Sequence, residues 1–243
     1  MMQPSVSSTI LWLTGWSMPP IVFDQLRALL PEFQHESIIY STADSQEEMI
    51  QLVEKAAAAH CDWRSAPVLI AGWSLGGCLA LHLATQGLAD GLVLFSATAK
   101  FTRANEQKHL GWADAYLRRM ITGLKQDREA TEHAFRLAVW QSADSASDHS
   151  DAIAPGQWST PALLAGLEAL RSLNLLPMLP GIKCPVLLVH GTEDTICPFP
   201  AAQELHSNLP HATLLAVEGG GHAPFLGSAA WVAASIRSWW HDR

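Results

Sequence analysis

The chain has 243 residues, 49% of them hydrophobic and 16% charged, and carries a net charge of -8. That much apolar matter builds a sizeable core and excludes a disordered chain, while the length suits one large domain or two small ones. The acidic balance excludes a general binder of nucleic acid or of anionic membrane. Four cysteines (Cys61, Cys78, Cys184, Cys197) contain no C-x-x-C pair, which fits reduced thiols in a cytoplasmic protein better than a disulfide framework. No basic residue precedes Arg27 and the first apolar run is only Ile10 to Leu13, so neither an ordinary signal peptide nor a membrane anchor is expected.

Thr9 to Leu13 reads as a buried strand and Ser37 to Tyr40 as a weaker one. Ser45 to His60 has helical periodicity, with Ser45 as N-cap and Glu48 as its capping-box partner. Pro67 to Ala71 is a continuous apolar run of strand length, Leu75 to Gln86 a helix closed by Gly87, and Leu92 to Phe95 another strand. Doubly apolar strands alternating with helices indicate a mostly parallel sheet covered on both faces. From about Ala97 to Pro177 the pattern turns helical, clearest over Asp114–Met120, Arg128–Gln141 and Pro161–Leu170, with a polar, loop-like Ser142–Ser150. Strands and helices then resume: Pro185–His190, Ala201–Asn208, Thr213–Val217 and a closing helix Ala229–Trp240. An insertion of about 80 residues is too long for a loop and should fold as a subdomain. The expected organisation is an α/β core of residues 1–97 and 178–243 with a helical cap, or lid, of residues 98–177.

Chemistry concentrates at the ends of three strands. Gly72-Trp73-Ser74-Leu75-Gly76 follows one strand and opens a helix. A G-x-S-x-G turn in that context presents a serine hydroxyl as nucleophile at a helix N-terminus. A serine needs a base, and the base an orienting acid, in the chain order serine, acid, histidine. Asp194, on the loop after the Pro185–His190 strand, and His222, after the Thr213–Val217 strand, fall in that order, with Glu193 a rival acid. The backbone N–H of Leu75 suits an oxyanion. A second donor is expected after the first strand, where Gly15 permits a turn and Trp16 offers its N–H. No histidine spacing resembles a metal site, and the chemistry needs neither metal nor organic cofactor.

Trp73, Phe135 and Trp140 are candidates for lining a substrate pocket, although helical aromatics also serve as core. Between residues 100 and 140 there are eight basic and five acidic side chains. Arg118, Arg119, Lys125 and Arg128 could steer an acidic partner, or simply form a solvated helix face that Gly123 interrupts. Cys78 reads as a buried small apolar residue.

These motifs resemble the α/β-hydrolase superfamily over nearly the whole chain: the Gly-Trp-Ser-Leu-Gly-Gly turn, Gly191-x-x-Asp194-x-x-x-Pro198, and Gly221-His222-Ala-Pro-Phe225. With Gly15-Trp16 and Gly166-Leu-Glu-Ala-Leu170, they are similar to the pimeloyl-acyl-carrier-protein methyl ester esterases of biotin synthesis. That resemblance implies an α/β-hydrolase fold, a serine carboxylesterase and an acyl carrier protein bearing the substrate. The chain departs from that group in having Thr14 where a histidine usually precedes Gly-Trp. It also has Ala130 and Ala134 near the spacing of the group's carrier-contact arginines. A short-acyl carboxylesterase, a C–C or thioester hydrolase, and a non-catalytic binding protein of the same fold remain open at this point, and the default assembly is a monomer.

Overall fold

The computed structural model describes residues 8–62, 66–140 and 155–242. The elements run β1 (Thr9–Leu13), α1 (Asp24–Leu29), β2 (Gln34–Ser37), α2 (Gln46–Asp62), β3 (Val68–Trp73), α3 (Leu75–Thr85) and β4 (Gly91–Phe95). The helices α4 (Asp114–Gln126), α5 (Arg128–Trp140) and α6 (Thr160–Ser172) follow. The chain then returns through β5 (Val186–Gly191), α7 (Phe199–Asn208), β6 (Ala212–Val217), the short α8 (Pro224–Gly227) and α9 (Ala229–His241). Six strands form one sheet in the order β2-β1-β3-β4-β5-β6, every neighbouring pair parallel. β3, β4 and β5 are buried along their whole length, which is why they read as unbroken apolar runs. α1 packs on α9, and α2 packs on α3 and α6.

Local signals explain several boundaries. The Glu48 N–H donates to Ser45 Oγ at 3.1 Å, and the Glu48 carboxylate accepts the N–H of Asp44 at 2.6 Å. The capping box forms, with its return bond one residue upstream of the cap. The second strand lies at Gln34–Ser37 rather than the expected Ser37–Tyr40. It is an edge strand, so no second neighbour demands an apolar pattern, and its register with β1 pairs Thr9 with Gln34. The apolar residues that suggested the later position do other work: Tyr40 is buried and donates its hydroxyl to the Thr14 carbonyl.

α4 runs past Met120 and straight through Gly123 to Gln126. A Cβ at Gly123 would stand 2.6 Å from Thr131 Oγ1, so this glycine brings α4 and α5 together instead of breaking the helix. The polar Ser142–Ser150 stretch and Gln141 lie outside the described residues. No helix among the described residues is long and apolar enough to cross a membrane.

Candidate active site

Strand order reverses beside β1, which has β2 on one side and β3 on the other. Sheets of this kind bind ligands at such a reversal, beyond the carboxyl ends of the strands. Leu13 pairs with Gly72 across the junction, so the segments leaving β1 and β3 emerge side by side. One carries Gly15, Trp16 and Ser17, and the other carries Ser74.

Ser74 has φ 56° and ψ -115°. A non-glycine residue held there stores strain of order 1–3 kcal/mol. The surroundings enforce it: the Ser74 N–H donates to the Phe95 carbonyl at 3.0 Å, and its carbonyl accepts the Cys78 N–H at 3.1 Å. Glycine is required on both sides. A Cβ at Gly72 would meet the Gly76 carbonyl oxygen at 2.3 Å, and one at Gly76 would meet the Leu13 carbonyl oxygen at 2.2 Å. The first turn of α3 therefore lies directly on the end of β1. Leu75 opens that helix, so its N–H has no intrahelical acceptor. Neither it nor the Trp16 N–H donates to a backbone carbonyl among the described residues.

The acid and the histidine arrive from β5 and β6, which are paired through Gly191 and Val217. Their following loops are laced together: the Glu193 N–H donates to the Gly220 carbonyl at 2.9 Å, and the Thr192 N–H to Val217 at 3.0 Å. Asp194 is buried while Glu193 faces solvent. Asp194 Oδ1 accepts the N–H groups of Ile196 and Cys197, each at 2.9 Å. Oδ2 accepts His222 Nδ1 at 2.9 Å. Burial alone would raise the Asp194 carboxyl, but the facing His222 and His190 rings and the Cys197 N–H outweigh it and hold it below its ordinary value. With Nδ1–H given to Asp194, His222 Nε2 is left as the basic nitrogen. It is buried and has no hydrogen-bond partner among the described residues.

The aromatic candidates surround this pair unequally. Trp73 is fully buried and donates its Nε1–H to the His222 carbonyl at 2.7 Å, so it supports the histidine loop from within the core. Trp140 is buried with its ring 6.4 Å from that of Trp73. Phe135 packs edge-on against Trp16 at 5.0 Å. It also lines a cavity of about 390 Å³ between α4 and α5, with Met120, Ala134, Trp112 and Arg119. Gly166 touches the same region, since a Cβ there would stand 2.8 Å from Trp16 Cδ1.

The basic candidates divide. Arg118, Arg119 and Lys125 are exposed on α4, with Arg118 paired to Asp114. Arg128 is half-exposed but spends its donors within the fold: Nε bonds Glu132 Oε2 at 2.7 Å, Nη2 the Trp158 carbonyl at 2.7 Å and Nη1 Thr160 Oγ1 at 3.1 Å. Cys78 is buried, donates to the Thr98 carbonyl, and has its thiol pushed up to about 12 by burial.

Sequence reasoning missed two groups. His190, the penultimate residue of β5, is buried, donates Nε2–H to the Cys197 carbonyl at 2.6 Å and lies 3.4 Å from Asp194 Oδ2. Burial pushes this imidazole below its ordinary value against the pull of Asp194, so at neutral pH it braces the acid loop as an uncharged donor. A histidine ending an apolar strand was the available signal. The other group is the Ser17–Glu132 pair, whose members lie 115 residues apart, beyond the reach of any local pattern.

The fold and the strand-end loops define a class. A profile of the alpha/beta hydrolase family matches residues 12–235, and the chain belongs to that family. Two curated relatives share most of their length with it. The pimeloyl-[acyl-carrier protein] methyl ester esterase of Xanthomonas oryzae pv. oryzae is 31% identical over 237 residues, covering 93% of this chain and 92% of its own. The protein of that name from Nitrosomonas europaea is 32% identical over 226 residues, with 89% of each chain covered. Among solved structures, an esterase from Exiguobacterium antarcticum superposes with a TM-score of 0.81 at 20% identity, over 96% of this chain and 91% of that one. At that identity the likeness is one of fold.

Proposed function

We propose that the chain is a cytoplasmic serine carboxylesterase that hydrolyses the methyl ester of pimeloyl-acyl carrier protein in biotin synthesis. The observations that carry the catalytic part are the buried Asp194–His222 pair, whose Nε2 has no partner among the described residues, and a serine held in a strained strand-to-helix turn. His222 Nε2 takes the Ser74 proton as Oγ attacks the ester carbonyl. The N–H groups of Leu75 and Trp16 stabilise the oxyanion, and Asp194 stabilises the imidazolium. The tetrahedral adduct collapses to an acyl-enzyme as His222 returns the proton to departing methanol. Water then attacks, its proton passing to His222, and the second adduct releases the carboxylic acid and regenerates Ser74.

Residues 98–177 act as the cap over this site. The cavity between α4 and α5 is the candidate acyl pocket, because Phe135 in its wall packs on Trp16. The carrier-protein part rests on the names of the relatives and on exposed Arg118, Arg119 and Lys125. Arg128 is withdrawn from that role because its donors are used internally.

The test compares pimeloyl-carrier methyl ester with p-nitrophenyl butyrate. The carrier ester is expected to be cleaved with a kcat/KM at least about ten-fold higher. That advantage should shrink as salt rises from low ionic strength past 0.15 M, where the Debye length falls to about 8 Å. Equal efficiency on both esters, with no salt effect, would remove the carrier from the proposal and leave a general short-acyl esterase.

A further inference from the structure

We propose that Glu132 is a positioning residue that locks the oxyanion turn to the inserted segment, so that the direction of the Trp16 donor depends on a contact outside the core. The inference rests on the serine-esterase reading and extends it to a residue outside the reacting groups. The Met18 N–H donates to the Gly15 carbonyl at 3.2 Å, closing a β-turn with Trp16 and Ser17 at its centre. Ser17 has φ 63° and is wholly buried. That backbone conformation favours glycine, and a buried serine persists in it only if its surroundings hold it.

Four hydrogen bonds tie this turn to the inserted segment. Ser17 Oγ donates to Glu132 Oε1 at 2.6 Å. The Ser17 carbonyl accepts the Gly156 N–H at 3.1 Å, and the Met18 carbonyl accepts Trp158 Nε1–H at 3.2 Å. Trp16 Nε1–H donates to the Leu163 carbonyl at 2.8 Å. Arg128 closes a ring, bonding Glu132 Oε2 on one side and the Trp158 carbonyl on the other. The circuit runs Ser17, Glu132, Arg128, Trp158, Met18 and back to Ser17.

A buried carboxylate is costly to desolvate, and an apolar pair of the same shape would often be as stable. What the carboxylate supplies is a short, directional, charge-assisted bond to Ser17 Oγ. The direction of the Trp16 N–H is fixed by the peptide planes of this turn. A turn released from Glu132 would leave substrate binding intact and misplace the donor where charge develops.

The test uses Ser17→Ala, Ser17→Gly, Glu132→Ala and Glu132→Gln in the full chain, with p-nitrophenyl butyrate as substrate and a trifluoromethyl ketone as an oxyanion-forming inhibitor. Both Ser17 variants and Glu132→Ala are expected to lose about ten- to hundred-fold in kcat with KM changed less than about three-fold. The ketone should weaken by the same factor as kcat/KM. Glu132→Gln, which keeps a bonding group for both Ser17 and Arg128, should recover most of the loss. Ser17→Gly separates positioning from folding, because glycine relieves the strained φ: its melting temperature should hold while kcat falls. Unchanged kcat in folded Ser17→Gly or Glu132→Ala would overturn the proposal, as would a Glu132→Gln variant no better than Glu132→Ala or losses confined to KM. A wild-type protein that neither cleaves the ester nor binds the ketone would instead overturn the esterase reading itself.

Discussion

Ser74→Ala is expected to lower kcat for ester hydrolysis by about 10⁵- to 10⁶-fold while leaving KM and melting temperature nearly unchanged. The size follows from the chemistry: without Oγ no acyl-enzyme forms, and only binding and the oxyanion donors can still help water attack. The small structural effect follows from the turn, where the strain is imposed by backbone contacts to Phe95 and Cys78 and by the glycines around it, not by the hydroxyl. A stopped assay on p-nitrophenyl butyrate, using enough enzyme to see the residual rate, checks this. A loss of less than ten-fold would mean that the nucleophile lies elsewhere.

Asp194→Asn is expected to cost about 10⁴-fold in kcat, about 5 kcal/mol of transition-state stabilisation. The hydrogen bonds say why so conservative a change acts so strongly. The asparagine oxygen would stay where Ile196 and Cys197 donate to it. Its amide nitrogen would then take the place of the oxygen facing His222 Nδ1 at 2.9 Å. That nitrogen donates, so Nδ1 must accept, and the proton moves to Nε2. Nε2 then has no lone pair to receive the Ser74 proton. Exposed Glu193 makes the control, since Glu193→Gln should retain full activity. Kinetics of the two variants side by side decide between the acids.

Much of the site was legible because each part has a local cause. β3, β4 and β5 are covered on both faces, so their sequences are continuous apolar runs. The Ser74 turn demands glycine at two neighbours, which writes the motif into six consecutive residues. Asp194 and His222 follow strands directly, so chain order and strand ends pointed to two side chains that are hydrogen-bonded to each other. The edge strand β2 was misplaced because an exposed Gln-His-Glu-Ser carries no apolar signal, while the buried Tyr40 beyond it does. Gly123 was mistaken for a helix breaker because its reason for being small, the side chain of Thr131, lies on the next helix.

Arg128 looked like surface charge for the same kind of reason. Its partners Trp158 and Thr160 are thirty residues or more away. The Glu132–Ser17 bond is likewise tertiary, with nothing periodic to announce it, whereas His190 stands only four residues before Asp194, at the end of an apolar strand. Between β4 and β5, composition suggested charge and helices, while contacts decided which charges bond within the fold.

The most direct test of Ser74 as an activated nucleophile is covalent capture by a fluorophosphonate, in which Oγ displaces fluoride, followed by peptide mass mapping. Rapid labelling of one site per chain, at Ser74, abolished in Ser74→Ala and slowed in Asp194→Asn, is the expected result. Labelling at another residue, or none in protein that is folded, would contradict the proposed triad.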